Sequence, residues 1–376
     1  MVLTPEEREA WLARPAMNPP SGATSNFENP SSFRHKSLGM ITSLLIIVTV
    51  VFAVWGVTKL KIQKKLRPED YIIALAYVEF LVLTGDGYMM SESGLGVHMW
   101  DMTVRTQIRF FKQYYDGIII YLVSMATLKV GIILQVLRAF MPENRRDWAW
   151  WVGHVVLWIN VAFYFAMVVI ELKTCTPRAK EWDPTIQEGS CIHASEVRFL
   201  LAMLNVATDL VIIALPQRVI WGLHLPFKRK LALSALFLVG ILSMACGCVQ
   251  IYYGIVLAED KSDKSYKISN NGIWALPEVA TGLLVACLPM LPRFLGIIGE
   301  TNTVSRIGTS LRGLLGRSSG SGSGRSGSRG IAGNDVPTIG RARVRQHHSG
   351  PEDIEFETLI VTKNDTRPGT GMGSRV

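Results

Sequence analysis

Apolar stretches of about 20 residues recur seven times between residues 37 and 294 of this chain. As a helix, such a stretch rises about 30 Å, which is the thickness of the hydrocarbon layer of a bilayer. Only 18% of the residues are charged and 49% are hydrophobic, whereas soluble chains carry about 25% charged residues. These features exclude a soluble enzyme and predict an all-α membrane protein, a bundle of seven transmembrane helices.

The predicted chain has three parts. We place the seven spans at residues 38–58, 71–90, 117–137, 148–170, 199–220, 231–257 and 273–294, within one domain at 38–296. Residues 1–37 contain several prolines among polar residues, so we expect a disordered extracellular N-terminus. Residues 297–376 include a Gly/Ser/Arg-rich run at 317–330 that cannot form a core, which predicts a disordered cytoplasmic tail.

The basic residues beside the spans predict the orientation of the bundle. The connection between the first two spans carries five of them: Lys59, Lys61, Lys64, Lys65 and Arg67. Because basic connections stay in the cytosol, the N-terminus is expected outside and the C-terminal tail inside. The net charge of +9 is then explained by the membrane surface and not by nucleic acid. A plasma membrane and an internal membrane both fit, and the tail is expected to meet a cytosolic partner.

Two cysteines lie in the connection between the fourth and fifth spans. Cys175 and Cys191 are both on the side predicted to be outside, where thiols are oxidised, so we predict a disulfide over two free thiols. Closing a loop of this size contributes about 3 kcal/mol in the chain-entropy model. The bridge would hold a lid over the extracellular mouth. No cysteine and histidine spacing suggests a metal site.

Six polar or ionisable residues fall inside the predicted spans, where each charge costs about 2.5 to 3.5 kcal/mol at a helix centre. They are Glu79, Asp86, Lys129, Asn205, Asp209 and Glu278. Because an isolated charge would be costly, we expect one interior network in which Lys129 pairs with Glu79 or Asp209. A structural clamp, a ligand or substrate site, and a proton or ion path all fit this pattern.

His98 ends the short sequence GLGVH in the connection between the second and third spans. Its two glycines favour a tight turn, and a ligand site is the alternative interpretation.

The motifs taken together resemble the fungal rhodopsin-like domain. The residues that carry the resemblance are Asp70, Tyr71, the GLGVH segment, Lys129, Arg138, Cys175, Trp182, Asp183, Cys191, Asn205, Asp209, Pro216, Trp274, Glu278 and Pro289. That family comprises seven-helix membrane proteins of filamentous fungi, among them Pth11-type receptor-like proteins and membrane proteins of mycotoxin clusters such as that for satratoxin. Gln250 departs from the family, which usually has an arginine in the sixth helix.

The resemblance implies a receptor-like protein without enzymatic activity, which serves a secondary-metabolite pathway and binds a small hydrophobic ligand or metabolite. A small transporter or export accessory and an integral membrane cyclase are the alternatives. We expect no retinal, because the seventh span has no lysine that could form a Schiff base.

We predict that reporter fusions after Arg229 and at the C-terminus will be cytosolic and that a fusion at residue 185 will be extracellular. The physical reason is the basic first connection. Protease protection of each fusion in sealed vesicles measures this directly. An external C-terminus would contradict the seven-span arrangement.

Overall fold

The computed structural model describes residues 4–22, 24–140, 148–192, 194–221, 227–259, 262–292 and 294. In chain order its helices are α1 (Pro5–Leu12), α2 (Arg34–Val57), α3 (Pro68–Glu92), α4 (Val104–Phe140), α5 (Trp148–Leu172), α6 (Ala194–Trp221), α7 (Phe227–Glu259), α8 (Lys264–Gly272) and α9 (Ala275–Cys287). Two strands, β1 (Cys175–Thr176) and β2 (Ser190–Cys191), pair antiparallel in the loop after α5. A π-helical turn at Thr58–Gln63 extends α2.

The first six predicted spans overlap α2 to α7, and the seventh, at 273–294, overlaps α9 but not α8, which ends at Gly272. In the described part of the chain, six stretches are long and apolar enough to cross a bilayer: Arg34–Gln63, Pro68–Glu92, Val104–Arg138, Trp150–Leu172, Phe237–Glu259 and Lys264–Met290. The remaining helix, α6, has 28 residues and is outside this group.

The surface of the bundle is apolar and its interior holds polar groups. Phe165 is 71% exposed and Leu238 is 68% exposed, whereas Lys129 and Glu278 are buried. In water such a surface would be unstable, but in a bilayer it faces lipid tails of the same polarity. This distribution agrees with the predicted helical membrane fold.

The longest helix, α4, is the centre of the bundle and packs against both α3 and α9. Phe80 of α3, Leu128 of α4 and Val279 of α9 are buried together in the main core. α4 begins at Val104, well before residue 117, where the third span was predicted to start. Its first turns were missed because they are amphipathic: they expose Arg105, Arg109 and Lys112 and bury Phe110 and Phe111.

Ion pairs join three helices at the end of the bundle that the basic connection places in the cytosol. Lys59 Nζ lies 2.8 Å from Asp70 Oδ1, and both side chains are buried. Arg138 near the end of α4 lies 3.2 Å from Glu69 at the start of α3. These contacts fix where α2 ends and α3 begins.

The described part of the N-terminal segment has structure, which corrects the prediction of disorder for residues 1–37. Thr4 and Glu7 form a capping box that starts α1. After α1, the chain pairs with the residues before α4: Ala16 N donates to Met102 O at 2.9 Å. Asn26 N also donates to Asp101 Oδ1 at 2.9 Å. The composition gave no sign of this order because it comes from backbone contacts distant in sequence.

The predicted tail at 297–376 lies outside the described residues, as do the connections at 141–147 and 222–226.

Cys175 and Cys191 face each other in the β1–β2 register and form a disulfide, which confirms that prediction. The bridge closes the loop between α5 and α6.

We predict that replacing both cysteines with serine lowers the free energy of unfolding by about 3 kcal/mol, because the unfolded loop is no longer closed. Thermal unfolding in detergent measures the loss. Cys248→Ser is the matched control, since Cys248 is a free and exposed cysteine of α7. An equal loss in the control, or none in the double variant, would contradict a stabilising role for the bridge.

Candidate functional site

Lys129 lies in α4 and is only 2% exposed, yet every contact its ammonium group needs is present. Its Nζ lies 2.7 Å from Asp209 Oδ1 of α6. It also donates hydrogen bonds to Asn205 Oδ1 at 2.6 Å, to Asn205 O at 2.9 Å and to Thr208 Oγ1 at 2.7 Å. A buried lysine is tolerated when its charge is paired and its N–H groups have acceptors, and both conditions are met here.

Asn205 connects this ion pair to a second buried acid. Its Oδ1 accepts hydrogen bonds from Lys129 and, at 2.6 Å, from the hydroxyl of Tyr164. Its Nδ2 donates to Glu278 Oε1 at 2.5 Å. Tyr121 at 2.7 Å and Gln250 at 2.5 Å donate to the other oxygen of Glu278. Glu278 is therefore held by three neutral donors, and Gln250 is one of them.

We call this set the polar network: Tyr121, Lys129, Tyr164, Asn205, Thr208, Asp209, Gln250 and Glu278. Its members come from α4, α5, α6, α7 and α9. Hydrogen bonds inside a bilayer have no water to compete with them, so the network fixes the relative positions of five helices.

Glu79 and Asp86 do not join the network, although both were expected in it. Glu79 accepts a hydrogen bond from Thr127 Oγ1 at 3.0 Å. Thr127 and Lys129 are two residues apart on α4, so they point to nearly opposite sides of the helix. Of the two acids proposed as partners of Lys129, Asp209 is the one that pairs with it in the structure.

Four network residues were not among the six predicted ones: Tyr121, Tyr164, Thr208 and Gln250. Tyr121 is two helical turns before Lys129 and so shares its face, which is a signal that could have been used. Tyr164 gave no signal, because a tyrosine in a span is ordinary. Gln250 was noted only as a departure from the family pattern. In the structure its side-chain amide donates a hydrogen bond to Glu278.

A cavity of about 210 Å³ lies between the network and the end of the bundle predicted to be outside. Its walls come from α2, α3, α4, α6, α7, α8 and α9, and most of the lining side chains are apolar. Tyr121, Asn205 and Gln250 line it as well, so the network forms one wall. An apolar cavity with a few converging polar groups is the usual form of a small-molecule site.

Asp86 lines this cavity from α3. Among the described residues it has neither a hydrogen-bond donor nor an ion-pair partner. It is thus the one predicted network member whose carboxyl group faces the cavity.

The disulfide-closed loop is fastened to the same end of the bundle. Arg198, which lines the cavity, binds Glu171 of α5 and lies 2.8 Å from Glu181 in the loop. Burial raises the pKa of the Glu181 carboxyl, and the Arg198 guanidinium opposes that shift. Trp182 packs beside Tyr115 of α4 in a second apolar cluster. These contacts support the predicted lid.

Asp183 has a local role in the loop. Thr185 donates to Asp183 Oδ1 through its backbone N–H at 2.9 Å and its hydroxyl at 2.6 Å, which closes a turn. Across the described ranges, no three His, Cys, Asp or Glu side chains form a group that could hold a metal ion.

His98 joins the GLGVH turn to α8. Its Nδ1 lies 2.5 Å from Asp263 Oδ2, and its ring stacks between Trp100 and Tyr266 at centroid distances of 4.3 Å and 4.2 Å. Gly96 has a φ of +76°, and a side chain there would collide with the ring of Phe33. Of the two interpretations of this segment, the structure has the tight turn.

We predict that Lys129→Met and Asp209→Asn each lower the free energy of unfolding by about 3 kcal/mol, because each leaves a buried charge unpaired. The double variant should lose less than the sum, because no unpaired charge remains. Thermal stability in detergent gives the three values. Lys129→Met with Glu79→Gln is the matched control and should be additive. Additivity with Asp209 and coupling with Glu79 would overturn the pairing described above.

Comparison with known proteins places the chain among fungal membrane proteins. The fungal rhodopsin domain matches residues 54–296, which lie inside the predicted domain at 38–296. Fugralins biosynthesis cluster protein 2 of Gibberella zeae is 25% identical over 303 residues, 78% of this chain and 74% of that protein. A SAT4 family membrane protein of Emericella nidulans is 30% identical over 203 residues, 54% of this chain and 50% of that protein.

Satratoxin biosynthesis SC1 cluster protein 4 of Stachybotrys chartarum is 24% identical over 179 residues, 44% of this chain and 64% of that protein. No solved structure matches the chain significantly. Because the domain match covers more than half of its length, this chain belongs to the fungal rhodopsin domain family and is a multi-pass membrane protein.

Proposed function

We propose that this protein is a receptor-like membrane protein that binds a small molecule in the cavity above the polar network and serves a secondary-metabolite pathway. One observation carries the proposal: the cavity has apolar walls, and Tyr121, Asn205 and Gln250 of the network line it.

This arrangement supports signalling because the same residues face the cavity and hold the helices together. Asn205 lines the cavity and also bonds to Lys129, Tyr164 and Glu278. A ligand that hydrogen-bonds to Asn205 competes with at least one of these contacts. Occupancy of the cavity would therefore shift the balance between arrangements of α4, α5, α6 and α9.

The pathway is inferred from the names of the relatives. Those from Gibberella zeae and Stachybotrys chartarum are named for the fugralins and satratoxin biosynthesis clusters. We extend this context to the present chain as part of the proposal, together with a cytosolic partner for the tail.

We further propose that the ligand is not retinal. The predicted seventh span, residues 273–294, has no lysine, and the ammonium group of Lys129 is already used by Asp209, Asn205 and Thr208. An ammonium group has three N–H donors, whereas a protonated Schiff base at Lys129 would have one.

An integral membrane cyclase is the second candidate, and one observation favours it. The Asp86 carboxyl faces the cavity without a partner in the described residues, and a carboxylic acid in an apolar cavity can protonate a substrate.

The proposal predicts that filling the cavity abolishes function. Gly254 of α7 lines the cavity, and a side-chain carbon there would meet no atom within 4 Å, so Gly254→Phe has room to enter it. Gly85 of α3 has equal space but does not line the cavity, which makes Gly85→Phe the matched control. Each variant is expressed in a deletion strain of the source fungus.

We expect the deletion and Gly254→Phe to lose transcription of the associated biosynthetic genes, and Gly85→Phe to restore it. Transcript levels and a metabolite profile are measured together. Normal transcription with an accumulated precursor would overturn the receptor role in favour of the cyclase. Normal transcription with product retained in the cells would indicate export.

A further inference from the structure

We infer that the cavity selects a small molecule with an apolar body and one protonated amine, and that Asp86 is the residue that binds the amine. This inference rests on the proposed function, since it names the ligand class of the same cavity. It begins from a carboxyl group that faces the cavity from α3 and finds no donor or cation among the described residues.

The packing between α3 and α4 provides space for this carboxyl group. A side-chain carbon at Gly117 of α4 would lie 2.5 Å from Asp86 Oδ2, closer than such atoms can approach. Any other residue at 117 would therefore displace the carboxyl group. Glycine at this position lets α4 pass close to Asp86, and both residues line the cavity.

Two arginines at the cavity's end of the bundle are already paired with carboxylates. Arg198 lines the cavity but binds two carboxylates, those of Glu171 and Glu181. Arg178 lies 3.7 Å from Asp116, the residue next to Gly117. These two arginines are paired with three carboxylates and leave Asp86 without a cation. An unpaired carboxyl group that lines the cavity favours a cationic ligand over an anionic one.

The remaining walls define the rest of the ligand. Leu83, Ile118, Leu201 and Leu276 supply apolar surface, and Tyr121 and Gln250 offer neutral hydrogen-bonding groups. The volume of about 210 Å³ is below the 300 to 1,000 Å³ of typical ligand pockets. This volume suits one ring with a short aminoalkyl chain better than a long lipid chain.

Three probes of nearly equal size test the charge of the ligand: phenethylamine, phenethyl alcohol and phenylacetate. Their binding to the full-length protein in lipid nanodiscs is measured by calorimetry, for the wild type and for Asp86→Asn. Glu79→Gln is the matched control, because Glu79 lies two helical turns from Asp86 on α3 but does not line the cavity. Gly254→Phe reports whether any binding occurs in the cavity.

We expect the wild type and Glu79→Gln to bind the amine roughly 30-fold or more tightly than either other probe, as for a desolvated charge pair. Asp86→Asn should lose that preference. If the alcohol or the acid binds as tightly as the amine and Gly254→Phe abolishes binding, the ligand class is wrong and the cavity proposal stands. If no probe binds the wild type, the ligand class and the cavity proposal are both wrong. The comparison of probes on the wild type decides the matter even if Asp86→Asn does not fold.

Discussion

The ion pair between Lys129 and Asp209 is the interaction on which the rest of this bundle depends. An ammonium group in the middle of a membrane helix is costly unless an acid and further acceptors surround it. Meeting that requirement brings α6 against α4, and Asn205, one turn from Asp209, extends the contacts to α5 and α9. Lipid-facing apolar surfaces alone would not specify these neighbours, because every helix has one.

Polar contacts at the two ends complement this central network. At one end, Lys59 pairs with Asp70 and Arg138 with Glu69. At the other, His98 is fixed to Asp263 and the disulfide-closed loop is fixed to Arg198. The cavity lies between the central network and this second end. A ligand there would contact both the residues that hold the helices together and the arginine that holds the loop.

Much of the fold could be predicted because a bilayer imposes simple rules. Long apolar runs gave the helices, and two cysteines in one loop gave the disulfide. The N-terminal segment could not be predicted, because its hydrogen bonds with residues 101–104 all have a backbone N–H as donor, and such donors leave no compositional trace. The start of α4 was missed because its first turns are amphipathic and do not resemble a span.

The site was predicted in part. The cost of buried charge correctly indicated that Lys129 needs an acid, but sequence spacing could not distinguish Asp209 from Glu79. That choice depends on the rotation of α4 about its axis. In the structure α4 turns Thr127 towards Glu79 and Lys129 towards Asp209. Tyr121 and Tyr164 are common residues in spans, so their role as hydrogen-bond donors became visible only through their partners.

The most direct measurement of the central ion pair is a distance between its two charged groups in a bilayer. Rotational-echo double-resonance NMR on protein labelled at lysine Nζ and aspartate Cγ detects such short contacts. We predict that the dephasing has one component from the Lys129–Asp209 pair and one from the Lys59–Asp70 pair. The first component should disappear in Lys129→Met and equally in Asp209→Asn, and the second should remain in both variants. If Asp209→Asn leaves intact the component that Lys129→Met removes, Lys129 has another partner and the network described here does not exist.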